Sequence, residues 1–400
     1  MPGFEIFGSE EKKEIMDVLD TGVLFRYEFN EQRNGVFKVR EFEEQFSQYC
    51  GTKYGQAVTS GTAALKVALM ALGVGPGDEV ITQGFTFVAT WEAILEVGAI
   101  PVFTEIDTTL NMDPADLKLK ISDKTKCIIP VHMMGAPARI EEIVKIAAEK
   151  NISVLEDTAQ AAGARIQGKH LGSFGNCGTF SFDSVKTMTT GEGGMIITDD
   201  EELWRSMSEY QDHGHDHKIN PGARGGEGRR FIGFNYRMME LQGAIGLAQL
   251  AKLDSMVVAQ KKNKLSLKEA ASAIPGVSFR ELIDEEGDSA TFLAFILQDK
   301  NHSERVNSFL TKEGFGAINF SANSWHFYPK WEHLLEGKTL TSSGYPFSSA
   351  GGKRRIIFDP EALPQSCSLL ERTLVYPIGI NMGEEKLSSM RKILQKAAEI

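Results

Sequence analysis

After an amphipathic helix predicted over Glu10 to Leu19, the chain to about residue 250 alternates short apolar runs with stretches whose apolar positions recur every three or four residues. That alternation predicts an α/β fold with a parallel sheet. Glu79 to Thr82, Pro101 to Thr104, Lys126 to Pro130, Ile152 to Glu156 and Met195 to Thr198 read as buried strands. Between them, Ala63 to Leu72 places Ala64, Leu65, Ala68, Leu69 and Leu72 on one helical stripe, and Ala138 to Lys150 does the same with Ile140, Ile143, Val144 and Ala147. These are crossover helices. In such sheets ligands collect beyond the carboxyl ends of the strands, so the residues just after each strand are the ones to inspect.

The periodicity lapses from His213 to Arg230, a polar, glycine-rich stretch of the kind that carries function more often than packing. A long helical pattern follows, from about Met239 through the lysine-rich stretch near Lys264. Beyond it, Val277 to Phe279, Thr291 to Leu297 and a helix near Glu304 to Lys312 predict a smaller α+β unit. At 400 residues the chain is long enough for two domains. We expect a large α/β domain over residues 1–255 and a small C-terminal α+β domain over 256–400.

Charge and cysteine content narrow the function. A formal net charge of −11 argues against a nucleic-acid or anionic-membrane partner, which would require excess Lys and Arg. Any anionic ligand must be held locally. The four cysteines are scattered without a Cys-x-x-Cys pair, which suits a reducing cytoplasm and gives neither a disulfide framework nor a thiolate zinc site. The acidic start MPGFEIFGSEEKKE is unlike a signal peptide, and no apolar run approaches membrane-spanning length, so a cytoplasmic protein is expected.

Four features at strand ends carry chemistry. Lys186 is delivered by the short run Gly178 to Asp183 into a threonine- and glycine-rich turn, where a desolvated amine could condense with an aldehyde. Asp157 immediately follows the strand Ile152 to Glu156 at the mouth of the crevice and could face a ligand cation, or be the N-cap of a helix starting at Thr158. Thr59 to Ala64 lies between a strand-like run and the Ala/Leu helix, where backbone N–H groups make a phosphate cradle; Ser60 or Thr62 could also be plain caps. Phe85 and Phe87 could stack on a planar ring or belong to the core. Ser181 has the opposite strand parity from Lys186, and spacing alone leaves open whether the two meet.

One ligand bearing a phosphate, a planar ring, a cationic nitrogen and an aldehyde would use all four, and with these residues the chain resembles the DegT/StrS-type sugar aminotransferases. These are pyridoxal 5′-phosphate (PLP) enzymes of the aspartate aminotransferase fold (fold type I). The resemblance implies that Lys186 carries the cofactor as a Schiff base, that Asp157 partners the pyridine nitrogen and that Gln160 donates to the ring hydroxyl. It further implies phosphate binding by Gly61, Thr62 and Ser181, ring stacking by Phe87, and a homodimer in which Asn235 reaches the phosphate of the neighbouring subunit. Family dehydratases replace the lysine with histidine; this chain keeps it, so transamination with glutamate as donor is expected.

The acceptor is harder to read. Gly22 to Tyr27, Lys38 to Glu44 and Gly225 to Arg230 resemble the branch that aminates 8-oxo-3,8-dideoxy-manno-octulosonate, a lipopolysaccharide sugar; the alternative is a nucleotide-linked keto-sugar. An acceptor carboxylate or diphosphate would call on Arg229, Arg230, Arg26 or His326. Asp212 to His217 could be a metal site, but a glycine-rich neighbour fixes no geometry, and no metal is expected. A PLP-binding regulator and a PLP sugar dehydratase are the remaining rivals.

Overall fold

The computed structural model describes residues 3–216, 228–348 and 356–400. Its main sheet has seven strands in the spatial order Tyr54–Val58, Gly194–Thr198, Cys177–Ser181, Ser153–Asp157, Thr125–Ile129, Glu79–Gln83, Ile100–Thr104. All neighbours pair in parallel except Gly194–Thr198, which is antiparallel to both of its partners. Those two reversals cancel. Val58, Gln83, Asp157 and Ser181 therefore all end at the same edge of the sheet, the edge where ligands bind in open α/β folds.

Side chains alternate between two buried faces, as a period of two demands. Cys127, Ile129, Leu155 and Ile196 pack with the helix Gly61–Ala71, whereas Ile128 and Val154 pack with Ile140 and Ile143 of the helix Ile140–Glu149. The strands lack an alternating polar face because helices cover both sides.

The expected long helix after Met239 is two helices, Glu240–Leu250 and Leu253–Ala271. The break falls at Ala251 and Lys252, where the Lys252 amine reaches back to the Ile6 carbonyl at 3.1 Å and to Glu11 at 2.8 Å. The second helix spans two cores. Leu253, Met256 and Val257 pack with Phe42, Phe46 and Phe180, while Leu267, Ala270 and Ala271 pack with Leu293, Phe295 and Leu374. A boundary at residue 255 thus falls inside a continuous helix.

A second sheet, Ser278–Phe279, Phe292–Ile296 and Thr373–Pro377, is antiparallel throughout. The strand Thr373–Pro377 is not evident in the sequence, because it follows the helix Pro364–Glu371 almost without a turn and its apolar run merges with Leu369 and Leu370. Phe292 and Pro377 of this sheet, with Ile318 beside it, close over the carboxyl edge of the main sheet. No helix among the described residues is long and apolar enough to cross a membrane.

Behind that edge Glu156 is fully buried and organises the chain around it. Its Oε1 accepts from the Phe174 and Gly175 amides at 2.6 and 2.8 Å, and its Oε2 accepts from the Gly172 amide at 2.8 Å. His132 Nε2 lies 3.0 Å from Oε2, and since His132 Nδ1 accepts from the Ala138 amide, Nε2 carries the proton. Glu156→Ala would orphan three amides and an imidazole at once. A loss of at least about 3 kcal/mol in unfolding free energy is expected, since each buried unpaired group costs roughly 1–3 kcal/mol, and urea denaturation of purified protein checks it.

Candidate active site

Lys186 reaches its place through a reversal of the chain after the strand Cys177–Ser181. Phe182 donates its amide to the Gly193 carbonyl at 2.9 Å, Thr190 donates back to the Phe182 carbonyl at 2.9 Å, and within that turn the Lys186 amide donates to the Asp183 carbonyl at 3.0 Å. The same turn resolves the parity question. Ser181 and Lys186 line one cavity of about 420 Å³, together with Gly61, Thr62, Phe87, Asp157, Gln160 and His326. The Lys186 amine stands 6.0 Å from the centre of the Phe87 ring. Burial pushes its pKa down from the ordinary lysine range, and the negative charges of Asp183 and Asp157 hold back part of that shift.

Asp157 is 4% exposed. Its Oδ2 accepts from the Thr90 hydroxyl at 2.9 Å, and Thr90 in turn shares a 2.7 Å hydrogen bond with Thr86. Its Oδ1 accepts from the Ala159 amide at 3.1 Å, but no helix follows, so Asp157 is not the helix N-cap that the sequence allowed. Burial raises the carboxyl pKa, and the Ala159 amide, the Thr90 hydroxyl and the charge of Lys186 act against the rise. Among the described residues no cation forms an ion pair with it, so a cationic ligand atom placed here would find an unspent, dehydrated charge.

The helix Gly61–Ala71 begins at the cavity, with Ser60 Oγ accepting from the Ala63 amide at 3.0 Å as its cap. Ser60 is therefore the capping residue; it takes the Ala63 amide and leaves the Gly61 and Thr62 amides available. A Cβ on Gly61 would stand 2.7 Å from Ser181 Cβ, so only glycine lets the helix start and Ser181 come this close. Gln160 Oε1 accepts from the Met134 amide at 2.9 Å, which leaves its Nε2 as the end that can donate. Phe87 lines the cavity, whereas Phe85 is fully buried against Phe320 and belongs to the core. Amide and hydroxyl donors at a helix N-terminus, an unpaired carboxylate, a flat aromatic and a lysine together fit what PLP requires: an anion cradle, a partner for the ring nitrogen, a cover for the ring and an amine. Thr90, which the sequence did not single out, belongs to this set, but nothing in its local pattern distinguishes it from a helix threonine.

The residues expected to receive an acceptor carboxylate or diphosphate fare differently. Arg26 is buried in a two-pronged pair with Glu43 at 2.7 Å and donates to the Ala57 carbonyl, so it is a structural tie away from the cavity. Arg230 is held by Glu209 at 2.8 Å and by Glu202. Arg229 lines a separate depression with Asp212, His213, His215 and Arg237. Only His326 lies in the cavity, and it is unsuited to carrying positive charge: burial and the nearby Lys186 amine lower its pKa to about 4. Asn235 lies outside its own chain's cavity, on a surface with Leu24, Phe25 and Met239. Of the expected branch-like segments and histidine cluster, residues 217–227 lie outside the described residues. Among the described residues no group of three His, Cys, Asp or Glu side chains could hold a metal ion.

Comparisons with known proteins agree with this geometry. The chain is 43% identical over 227 residues to GDP-perosamine synthase of Caulobacter vibrioides, an alignment spanning 56% of this chain and 58% of that relative. It is 34% identical over 395 residues to the spore coat polysaccharide biosynthesis protein SpsC of Bacillus subtilis, spanning 96% of this chain and 93% of that one. Among solved structures, 3-amino-5-hydroxybenzoic acid synthase superposes with a TM-score of 0.80 at 26% identity, covering 100% of this chain and 98% of that one. An aminotransferase from Psychrobacter cryohalolentis does so with a TM-score of 0.81 at 28% identity, covering 98% and 96%. The model of the DegT/DnrJ/EryC1/StrS aminotransferase family matches residues 7–345, so the chain belongs to that family, and pyridoxal phosphate is its cofactor.

Proposed function

We propose that the protein transfers an amino group from glutamate to a sugar carbonyl. The observation that carries this reading is the meeting of Lys186, Asp157, Gln160, Phe87 and the Gly61, Thr62 and Ser181 cradle in one cavity, from four separate parts of the chain. Gly61, Thr62 and Ser181 take the cofactor phosphate, Phe87 covers the ring, Gln160 donates to the ring hydroxyl and Asp157 faces the ring nitrogen. Asn235, absent from its own cavity, serves the phosphate of a second copy, which makes a homodimer with shared sites the working unit.

Bound there, the cofactor supplies an aldehyde that condenses with amines and a cationic ring that accepts the electron pair left when a carbon loses its proton. The chain supplies the rest. The Lys186 amine, made less basic by burial, holds and moves the proton taken from the substrate carbon. Asp157, fixed by Thr90 and Ala159, keeps positive charge on the ring nitrogen. The apolar lining of Leu65, Val131, Phe292 and Ile318 excludes water from the reacting carbon.

For the acceptor, the segments resembling the octulosonate branch support 8-oxo-3,8-dideoxy-manno-octulosonate. The identity to GDP-perosamine synthase supports a second reading, a nucleotide-linked keto-sugar. Enzyme aminated with glutamate and then offered both acceptors should regain its original absorbance with one class only, and turnover of neither would refute sugar amination. Borohydride reduction followed by peptide mapping should place the cofactor on Lys186.

Asp157→Asn separates binding from stability. Because the folded-state pKa of Asp157 is raised, its cost to the cofactor-free fold is absent at pH values below the unfolded carboxylate range and grows as pH rises through the folded value. At neutral pH the cofactor-free variant should therefore unfold at the same urea concentration as the parent or a higher one. Its transamination rate should fall by about a hundredfold or more, the usual scale for loss of a preorganised charge partner.

A further inference from the structure

We infer that Arg280, which is not among the residues lining the cavity, is a positioning residue for the cofactor site: with Asn111 it holds the peptide that joins Met133 to Met134, and that peptide keeps the Nε2 end of Gln160 for the ring hydroxyl. This rests on the reading of Gln160 as the donor to that hydroxyl and extends it to the groups that aim the donor.

The two ends of a glutamine carboxamide are chemically opposite, since one only accepts and the other only donates. Gln160 keeps its Oε1 on the Met134 amide at 2.9 Å. Without that contact the carboxamide could turn by half a rotation and set its oxygen against the ring oxygen, where lone pairs repel.

The Met134 amide does not point at Gln160 by default. Met134 has φ +56° and ψ +33°, a left-handed conformation that a residue with a side chain disfavours. Rotating the Met133–Met134 peptide by half a turn would bring that φ to the ordinary negative region and carry the N–H away from Gln160. Such strain persists only where neighbours over-determine the backbone.

The neighbours are specific. The Met133 carbonyl accepts from Arg280 Nη1 at 2.9 Å. It belongs to the same peptide group as the Met134 N–H, and because the two point in opposite directions across a trans peptide, anchoring one aims the other. The Met133 amide donates to Asn111 Oδ1 at 2.9 Å, and Asn111 Nδ2 donates to the Ala136 carbonyl at 3.2 Å. The Gly135 carbonyl accepts from the Ser289 amide at 3.1 Å and from its hydroxyl at 3.0 Å. Arg280 is buried, and among the described residues no carboxylate forms an ion pair with it; its hydrogen bonds go to the Thr109 and Met133 carbonyls. Burying a cation in this way is costly, and the carbonyl it reaches beyond Thr109 is the one whose peptide aims Gln160.

The test follows the visible absorbance of the holoenzyme, reconstituted with pyridoxal 5′-phosphate, as pH is varied. A donor on the ring oxygen favours its deprotonated form, so losing the donor raises the pH at which the chromophore gives up its proton. Gln160→Leu should raise that midpoint by about one unit, a tenfold change in the equilibrium and the scale of one hydrogen bond to a charged group. Arg280→Lys keeps the positive charge and a donor for the Thr109 carbonyl, but its amine ends short of Met133. It should move the midpoint in the same direction by about threefold or more, and adding Gln160→Leu to it should give no more than Gln160→Leu alone, because both act through one group. Asn111→Ser, which withdraws the acceptor from the Met133 amide, should also raise the midpoint and gives the answer if Arg280→Lys does not fold. A midpoint that stays at the parent's value in the folded variant, whatever happens to its urea stability, means that Arg280 serves the fold alone and overturns the inference, as do shifts that simply add in the double variant. If Gln160→Leu itself leaves the midpoint in place, the reading of Gln160 fails first and takes this inference with it.

Discussion

The site depends on one dehydrated carboxylate. Asp157 ends a central strand with its two oxygens fixed by a hydroxyl and an amide, and among the described residues it has no ion-pair partner. A protein built for stability alone would place an apolar residue here, since burying an unpaired charge is costly. The cost makes sense when a ligand brings the opposite charge. The surrounding elements can be understood as what keeps that carboxylate in place: Thr86 and Thr90 in relay on one side, and on the other the Glu156 and His132 network, which fixes the loop at residues 172–175 and the turn after the strand Thr125–Ile129.

The second sheet belongs to the site as much as the first does. Phe292, Ile318, Asn323, His326 and Pro377 reach the cavity from beyond residue 290 and line it together with the cradle and Lys186. Arg280 helps to tie the two sides together. Its buried guanidinium donates to the Thr109 carbonyl and, at 2.9 Å, to the Met133 carbonyl, and burial lowers its pKa to about 10. The Leu253–Ala271 helix, shared between two cores, works in the same direction. The cavity is therefore enclosed by parts that pack as one body, and its shape does not depend on a single loop.

Much of this was legible in the sequence, for a definite reason. Strands buried on both faces read as continuous apolar runs, and turns at their carboxyl ends carry glycine, threonine and aspartate, so Lys186, Asp157 and the Gly61 turn announce themselves locally. What failed was pairing over distance. Arg26 and Arg230 carry charges visible in any sequence, but their partners, Glu43 and Glu209, stand 17 and 21 residues away, and nothing in the local pattern says the charge is already spent. The break at Ala251 and Lys252 has the same origin, since the contacts of Lys252 lie at Ile6 and Glu11. Asn323 went unnoticed because the sequence cannot show that residues 325 to 327 pair with residues 85 to 88.

The electrostatics of the cavity follow from that pairing. The chain as a whole is acidic, and Asp183 and Glu192 stand at the cavity beside Ser181, yet the reading requires a phosphate to bind there. Among the described residues that line the cavity the only basic side chains are Lys186 and His326, and burial and the nearby Lys186 amine lower the pKa of His326 to about 4. An anion bound by these residues must then be held by oriented neutral donors: the amides at the start of the Gly61–Ala71 helix and the hydroxyls of Thr62 and Ser181. Neutral donors leave the Lys186 amine free of a permanent phosphate partner, and a lysine not committed to an ion pair is the one that can lose its proton and act as a base.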